Sequence, residues 1–154
     1  MPRIGVLALQ GDFREHFQCL RDAGAVSVSL VRTSEDLATV DALVIPGGES
    51  TAMSKLAIAF EVLNPIRKRI SQGMPVYGSC AGMIMLAEKV VDGNSDQETF
   101  GGLDITVRRN AFGRQVDSFE ANLHAPEIGS GEIRAVFIRA PWVESCADNV
   151  EILA

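Results

Sequence analysis

Residues 78–82 read Gly-Ser-Cys-Ala-Gly, and they stand between a short strand candidate, Pro75–Tyr77, and a stretch of helical spacing that starts at Ala81. A strand that turns straight into a helix holds the residue at the corner in a strained backbone conformation. Side chains two positions to either side of the corner would collide, which is why such a turn needs glycine at both places, here Gly78 and Gly82. The arrangement is a nucleophile elbow with Cys80 at its apex. It requires a strand–turn–helix unit and places the sulfur at the carboxyl end of a sheet, where open α/β folds hold their ligands. The helix N-terminus favours an anion there by about 0.3–1 kcal/mol. That is too little to activate a thiol, so a base, normally histidine, is still needed. The plain alternative is a buried cysteine beside a glycine-rich turn.

The rest of the first half fits the same architecture. Ile4–Leu9 is an apolar run ended by Gln10-Gly11-Asp12, the pattern of a strand buried on both faces. Asp12 is placed to cap a helix in which Phe13, Phe17 and Leu20 share one face, with Gly24 as its stop. Val26–Val31 and Ala42–Ile45 read as the second and third strands, the latter closed by Pro46-Gly47-Gly48. Ser50 or Thr51 can cap a helix over Met53–Phe60; Pro65 suits the first turn of another that continues through Ile66–Gln72 to Gly73. Ala81–Val91 reads as one helix. Strands alternating with helices imply a doubly wound, mostly parallel sheet with helices on both faces, flavodoxin-like in type. After Val91 helical periodicity fades, and Leu103–Val107, Val116–Leu123 and Arg134–Ile138 suggest an antiparallel extension.

Composition narrows the function classes. With 154 residues, 47% of them hydrophobic and 22% charged, residues 1–154 suit one α/β domain with a real core. The longest apolar or glycine run, Cys80–Ala87, is far short of a bilayer span, so no membrane partner is expected. Net charge is −6, and all of the deficit falls in residues 78–154, which disfavours nucleic acid as a partner. Cys19, Cys80 and Cys146 are too few and too widely spaced for a disulfide framework or a metal site; a reducing, cytoplasmic setting fits. Cys19 and Cys146 lack an elbow and read as packing or surface residues.

Two further segments invite chemistry. Pro46-Gly47-Gly48-Glu49-Ser50 follows a strand, and its glycines allow backbone N–H groups to turn toward a ligand; a type II turn is the bland reading. Arg108, Arg109 and Arg114 flank a glycine in an otherwise acidic half, either to fork a carboxylate or as a solvated hairpin tip. The only histidines, His16 and His124, lack the local context of a catalytic base.

Taken together, Ile4–Gly11 with Arg14-Glu15-His16, Pro46–Thr51, Gly78–Gly82, Arg109–Glu120 and Phe137–Pro141 resemble, in order, the triad (class I) glutamine amidotransferases. Arg109–Glu120 and Phe137–Pro141 narrow the resemblance to the glutaminase subunits of pyridoxal 5′-phosphate synthase. The resemblance implies hydrolysis of L-glutamine to L-glutamate and ammonia, with Cys80 as nucleophile through a thioester and Gly48 and Ala81 N–H groups as the oxyanion hole. It implies glutamine binding by Gly48, Glu49, Ser50, Arg109, Ile138 and Arg139, and a synthase subunit as the partner that receives ammonia. The segment around Gln10–His16 is expected to face that partner. No cofactor and no metal are implied.

The family also carries a His-Pro-Glu motif, which supplies the base and its orienting carboxylate. No His-x-Glu occurs among these 154 residues. The expectation is therefore a chain lacking the end of the amidotransferase domain and inactive by itself, or else a non-catalytic pseudo-glutaminase that binds the synthase or glutamine. Another elbow-cysteine enzyme, a class I protease or deglycase relative, would leave Arg109–Glu120 unexplained.

Overall fold

A computed structural model describes residues 1–109, 119–129, 131–137 and 141–154. Strands β1 (Arg3–Leu7), β2 (Ser27–Val31), β3 (Ala42–Ile45) and β4 (Val76–Gly78) pair in parallel in the order β2-β1-β3-β4. Val6, in the middle of β1, stands opposite Leu30 on one side and Val44 on the other. This explains the unbroken apolar run: an inner strand of a covered parallel sheet has no wet face.

The connections are helical. α1 (Phe13–Asp22) leads from β1 out to β2; α2 (Ser34–Ala38) leads back across to β3; α3 (Ser50–Ala59) and α4 (Leu63–Ser71) lead from β3 to β4. The direction reverses after β2, so right-handed crossovers put α1 on one face and the other three on the opposite face. On that second face Leu7, Leu43 and Ile45 of the sheet pack with Leu37, Met53 and Ile66 of the helices. The reversal also opens a crevice between the carboxyl ends of β1 and β3, the position where such sheets bind ligands. α1 keeps Phe13, His16, Phe17 and Leu20 half-buried on one stripe. Gly24 and Gly73 follow α1 and α4 with φ of 89° and 90°, as their reading as helix stops requires.

The sequence reading needs correction after the elbow. α5 spans only Ala81–Leu86, and Ala87–Val91 is strand β5. The N–H groups of Phe100 and Gly101 bond the Met85 carbonyl at 2.6 and 3.2 Å, taking an acceptor that a longer helix would use. β5 then pairs in parallel with β6 (Leu103–Arg108), and β9 (Trp142–Cys146) pairs antiparallel on the far side of β6. Ile84, Ala87, Ile105 and Val107 form a second, smaller core there, with Cys146 against it. β7 (Phe119–His124) and β8 (Glu132–Phe137) form a separate antiparallel hairpin. The antiparallel strands thus build two sheets of their own rather than an edge on the four-stranded one. Of the expected strands, Val116–Ser118 and Ile138 lie outside the described residues. None of the described helices is long and apolar enough to cross a membrane.

Candidate functional site

Cys80 has φ 48° and ψ −106°, a left-handed conformation that a side chain adopts only under strain. It is the N-cap of α5, and its free thiol is exposed. The bracketing glycines are needed for close approach. A Cβ on Gly78 would stand 2.6 Å from the carbonyl of Gly82, and one on Gly82 would stand 2.2 Å from the carbonyl oxygen of Ile45. The Ser79 N–H donates to the same Ile45 oxygen at 3.2 Å, so β3 and the elbow are locked backbone to backbone.

The Pro46–Ser50 segment passes beside the sulfur-bearing residue. A Cβ on Gly47 would lie 3.6 Å from that of Cys80. The loop after β1 clamps this segment from above. Asp12 N–H donates to the Gly47 carbonyl at 3.1 Å, and Glu49 N–H donates to Gln10 Oε1 at 2.9 Å. Gly48 has φ 150°, and a Cβ there would meet Gln10 Oε1 at 2.3 Å, so only glycine fits. Ala81, the first residue of α5, is buried; N–H groups of a first helical turn have no partner within the helix.

Glu49, rather than Ser50 or Thr51, caps α3. Its Oε1 accepts from the Thr51 N–H at 2.9 Å and its Oε2 from the Ala52 N–H at 2.7 Å. Burial pushes this carboxyl upward, but the N–H donors of Thr51 and Ala52, with Arg109 behind them, outweigh it and hold Glu49 below its ordinary value of 4.5. A carboxyl with a depressed folded value contributes stability above its ordinary value, and that contribution is lost as pH falls through the folded one. Wild type should therefore melt higher than Glu49→Gln at neutral pH, with the gap closing on acidification below about pH 4.5. Paired thermal melts from pH 7 to pH 3 check this; a gap that ignores pH would contradict it.

Arg109 is not a solvated tip. Its side chain is 18% exposed and donates Nη2 to Glu49 Oε1 at 3.1 Å, with Nη1 shared by Thr51 Oγ1 at 2.7 Å and Gln97 Oε1 at 3.0 Å. Its neighbour Arg108 faces elsewhere and bridges Asp92 and Glu144. Arg114, Ile138 and Arg139 lie outside the described residues. Sequence reasoning passed over Thr51 and Gln97 as ligands of this arginine. Gln97 sits in a polar turn that carries no local signal. Ser50 is 2% exposed, and its hydroxyl has no hydrogen-bond partner among the described residues.

His16, whose local sequence lacks the context of a catalytic base, nonetheless reaches the elbow. Its Nε2 lies 3.1 Å from Ser79 Oγ and 3.8 Å from Asp12 Oδ1, and its ring meets Tyr77 edge-on. The signal was present, because His16 falls three residues after Phe13 on the packed stripe of α1. Asp12, expected as the cap of α1, makes no side-chain cap bond and faces this histidine instead. These three do not form a hydrolytic triad: serine and aspartate address the same ring nitrogen, and Ser79 is not at the apex. His124 is exposed on β7, opposite Glu132.

A doubly wound sheet with a strained cysteine elbow beside a glycine loop defines an α/β protein of the elbow-nucleophile class. The chain belongs to the SNO glutamine amidotransferase family, whose model it matches over residues 6–154. It is 65% identical over 152 residues to the pyridoxal 5′-phosphate synthase subunit PdxT of Acidothermus cellulolyticus, covering 99% of this chain and 73% of that protein. It is 60% identical to the protein of the same name from Frankia casuarinae, covering 76% of it. A crystal structure of a glutamine amidotransferase superposes with a TM-score of 0.87 at 45% identity, over 97% of this chain and 78% of that one.

Proposed function

We propose that this chain is the cytoplasmic glutaminase subunit of a pyridoxal 5′-phosphate synthase. The Cys80 sulfur attacks the side-chain amide carbon of L-glutamine. The carbonyl oxygen takes up negative charge beside the Gly48 and Ala81 N–H groups. The C–N bond then breaks, the amide nitrogen takes up the proton given up by the Cys80 thiol and leaves as ammonia, and a glutamyl thioester remains; water hydrolyses it to L-glutamate, with one of the water's protons returning to the thiol. Ammonia passes to the synthase subunit. The observation that carries this reading is the left-handed φ of Cys80 with the Gly47-Gly48 backbone directly beside it.

Specificity for glutamine follows from charge. Free glutamine presents an α-carboxylate and an α-ammonium; Arg109 suits the first and Glu49 the second. Ser50 contributes an unpartnered buried hydroxyl to the same corner, and Ile138 and Arg139 belong to this reading by family resemblance. Arg109→Ala should raise KM for glutamine about tenfold or more while kcat changes little, because a charge-assisted hydrogen bond is worth about 1.5–3 kcal/mol. Steady-state ammonia release from the natural protein with its synthase subunit measures this; an unchanged KM would remove Arg109 from the substrate site.

A second reading rests on one fact. The chain has two histidines: His16 bonds Ser79 and His124 is exposed on the hairpin, so neither is placed as a base for Cys80. A non-catalytic subunit that binds the synthase or glutamine without turnover would have these properties. Ammonia release from the natural protein assembled with its synthase subunit separates the two: turnover supports the enzyme, and glutamine binding without turnover supports the second reading.

A further inference from the structure

Gln97 is the one member of the Arg109 cluster with an unexplained cost. Its Oε1 accepts from Arg109 Nη1 at 3.0 Å and lies 3.4 Å from the Thr51 hydroxyl, while its Nε2 is buried with no hydrogen-bond partner among the described residues. A buried donor left unmade costs free energy that a well-packed protein normally avoids. Glutamate has nearly the same shape and would hold the guanidinium more strongly, but it would bring a second negative charge to the cluster and bury an acceptor where the amide donor now stands.

The difference between the two is charge. Arg109 already has one carboxylate on it, Glu49 at 3.1 Å. Glu49 also holds two backbone N–H groups of α3, and its side chain is half-exposed, so its charge is spread and partly screened. A second carboxylate at position 97, inside the cluster, would leave the guanidinium outnumbered and repel an incoming anion. An amide oxygen fixes the arginine without neutralising it.

We propose that Gln97 is a positioning residue for the substrate: it orients Arg109 through an uncharged acceptor, so that the guanidinium stays available to the α-carboxylate of the ligand. This rests on the glutamine reading above. Gln97 touches the arginine and not the substrate, so it acts on recognition rather than on the chemical step.

The test is Cys80 alkylation, by two probes, of the natural protein assembled with its synthase subunit. One is 6-diazo-5-oxo-L-norleucine, which bears the α-ammonium and α-carboxylate of glutamine. The other is iodoacetamide, an amide electrophile with no carboxylate. Gln97→Glu, checked as folded by a cooperative thermal melt, should react with iodoacetamide at the wild-type rate and lose about tenfold or more in its rate with the diazoketone, equivalent to about 1.4 kcal/mol. Gln97→Met, which removes the acceptor, should lose the diazoketone rate as well. A purely structural role would leave Gln97→Glu reacting normally with both probes, because it keeps the hold on Arg109. A diazoketone rate within twofold of wild type in either folded variant overturns the proposal. If wild type itself shows no glutamine-protected diazoketone labelling at Cys80, the glutamine reading fails instead, and the two failures are distinct.

Discussion

Cys80→Ala is expected to lower ammonia release from L-glutamine by about 10⁴-fold or more in the natural protein assembled with its synthase subunit, because removing a nucleophile removes the covalent route entirely. Binding of the synthase subunit should be unaffected, since the substitution shortens one exposed side chain and leaves the elbow backbone free to relax. Neither other cysteine can substitute. Cys19 is exposed on α1 and Cys146 packs under the second sheet; only Cys80 lies beside Gly47. The adjacent Ser79 hydroxyl is engaged by His16 and is no replacement. Ammonia release near the wild-type rate from the alanine variant would remove Cys80 from the mechanism.

The second large effect is structural. Gly82→Ala should destabilise the chain by about 3 kcal/mol or more, in the range of severe overpacking. The added methyl would sit 2.2 Å from the Ile45 carbonyl oxygen, 2.9 Å from its carbon and 3.2 Å from the Pro46 oxygen. All three are backbone atoms of β3 and its exit loop, so no side-chain rotation relieves the collision. α5 must move off the sheet, and with it the position of Cys80 relative to Gly47 and Gly48. The comparison is Gly24→Ala, where nothing lies within 4 Å and only the φ of 89° opposes the change. That variant should cost about 1 kcal/mol, the usual scale of a left-handed conformation for alanine. Thermal melts of the two should differ by several degrees, at about 2–4 °C per kcal/mol for a domain of this size. Equal melting temperatures would mean that the elbow is not packed against β3 as described.

The parts of the fold that sequence predicts well are those set by local chemistry. β3 begins and ends at Ala42 and Ile45 as read, because an apolar run and a Pro-Gly-Gly stop coincide. The elbow was legible because two glycines at fixed spacing have few other uses. α2 was missed although Thr33 and Asp36 form a capping box with both bonds present; five residues are too few to show periodicity. β5 was misread as helix because Glu88 and Lys89 favour helix locally, while its partner β6 comes only after the 92–102 segment. β9 runs from Trp142 and Val143 into the polar 144–149 stretch, too short an apolar run to read as a strand, and owes its strand to pairing with β6.

The site divides in the same way. Cys80 and the glycine loop are backbone features with sequence signatures. Glu49, Ser50 and Arg109 came from family resemblance, and the fold brings Glu49 and Arg109 into contact across 60 positions of sequence. Helical spacing puts His16 on the packed stripe of α1, but its contact with Ser79, like that of Gln97 with Arg109, is tertiary, and no spacing rule encodes it. The expected roles of Ile138 and Arg139 fall outside the described residues.

The central claim is that Cys80 is a nucleophile in a pocket shaped for glutamine. Peptide mapping by mass spectrometry after treatment with 6-diazo-5-oxo-L-norleucine, with and without excess L-glutamine, tests it most directly. The account predicts a single adduct on Cys80, suppressed by L-glutamine, with Cys19 and Cys146 unmodified. Labelling spread over all three thiols, or labelling of Cys80 that L-glutamine does not suppress, would contradict it.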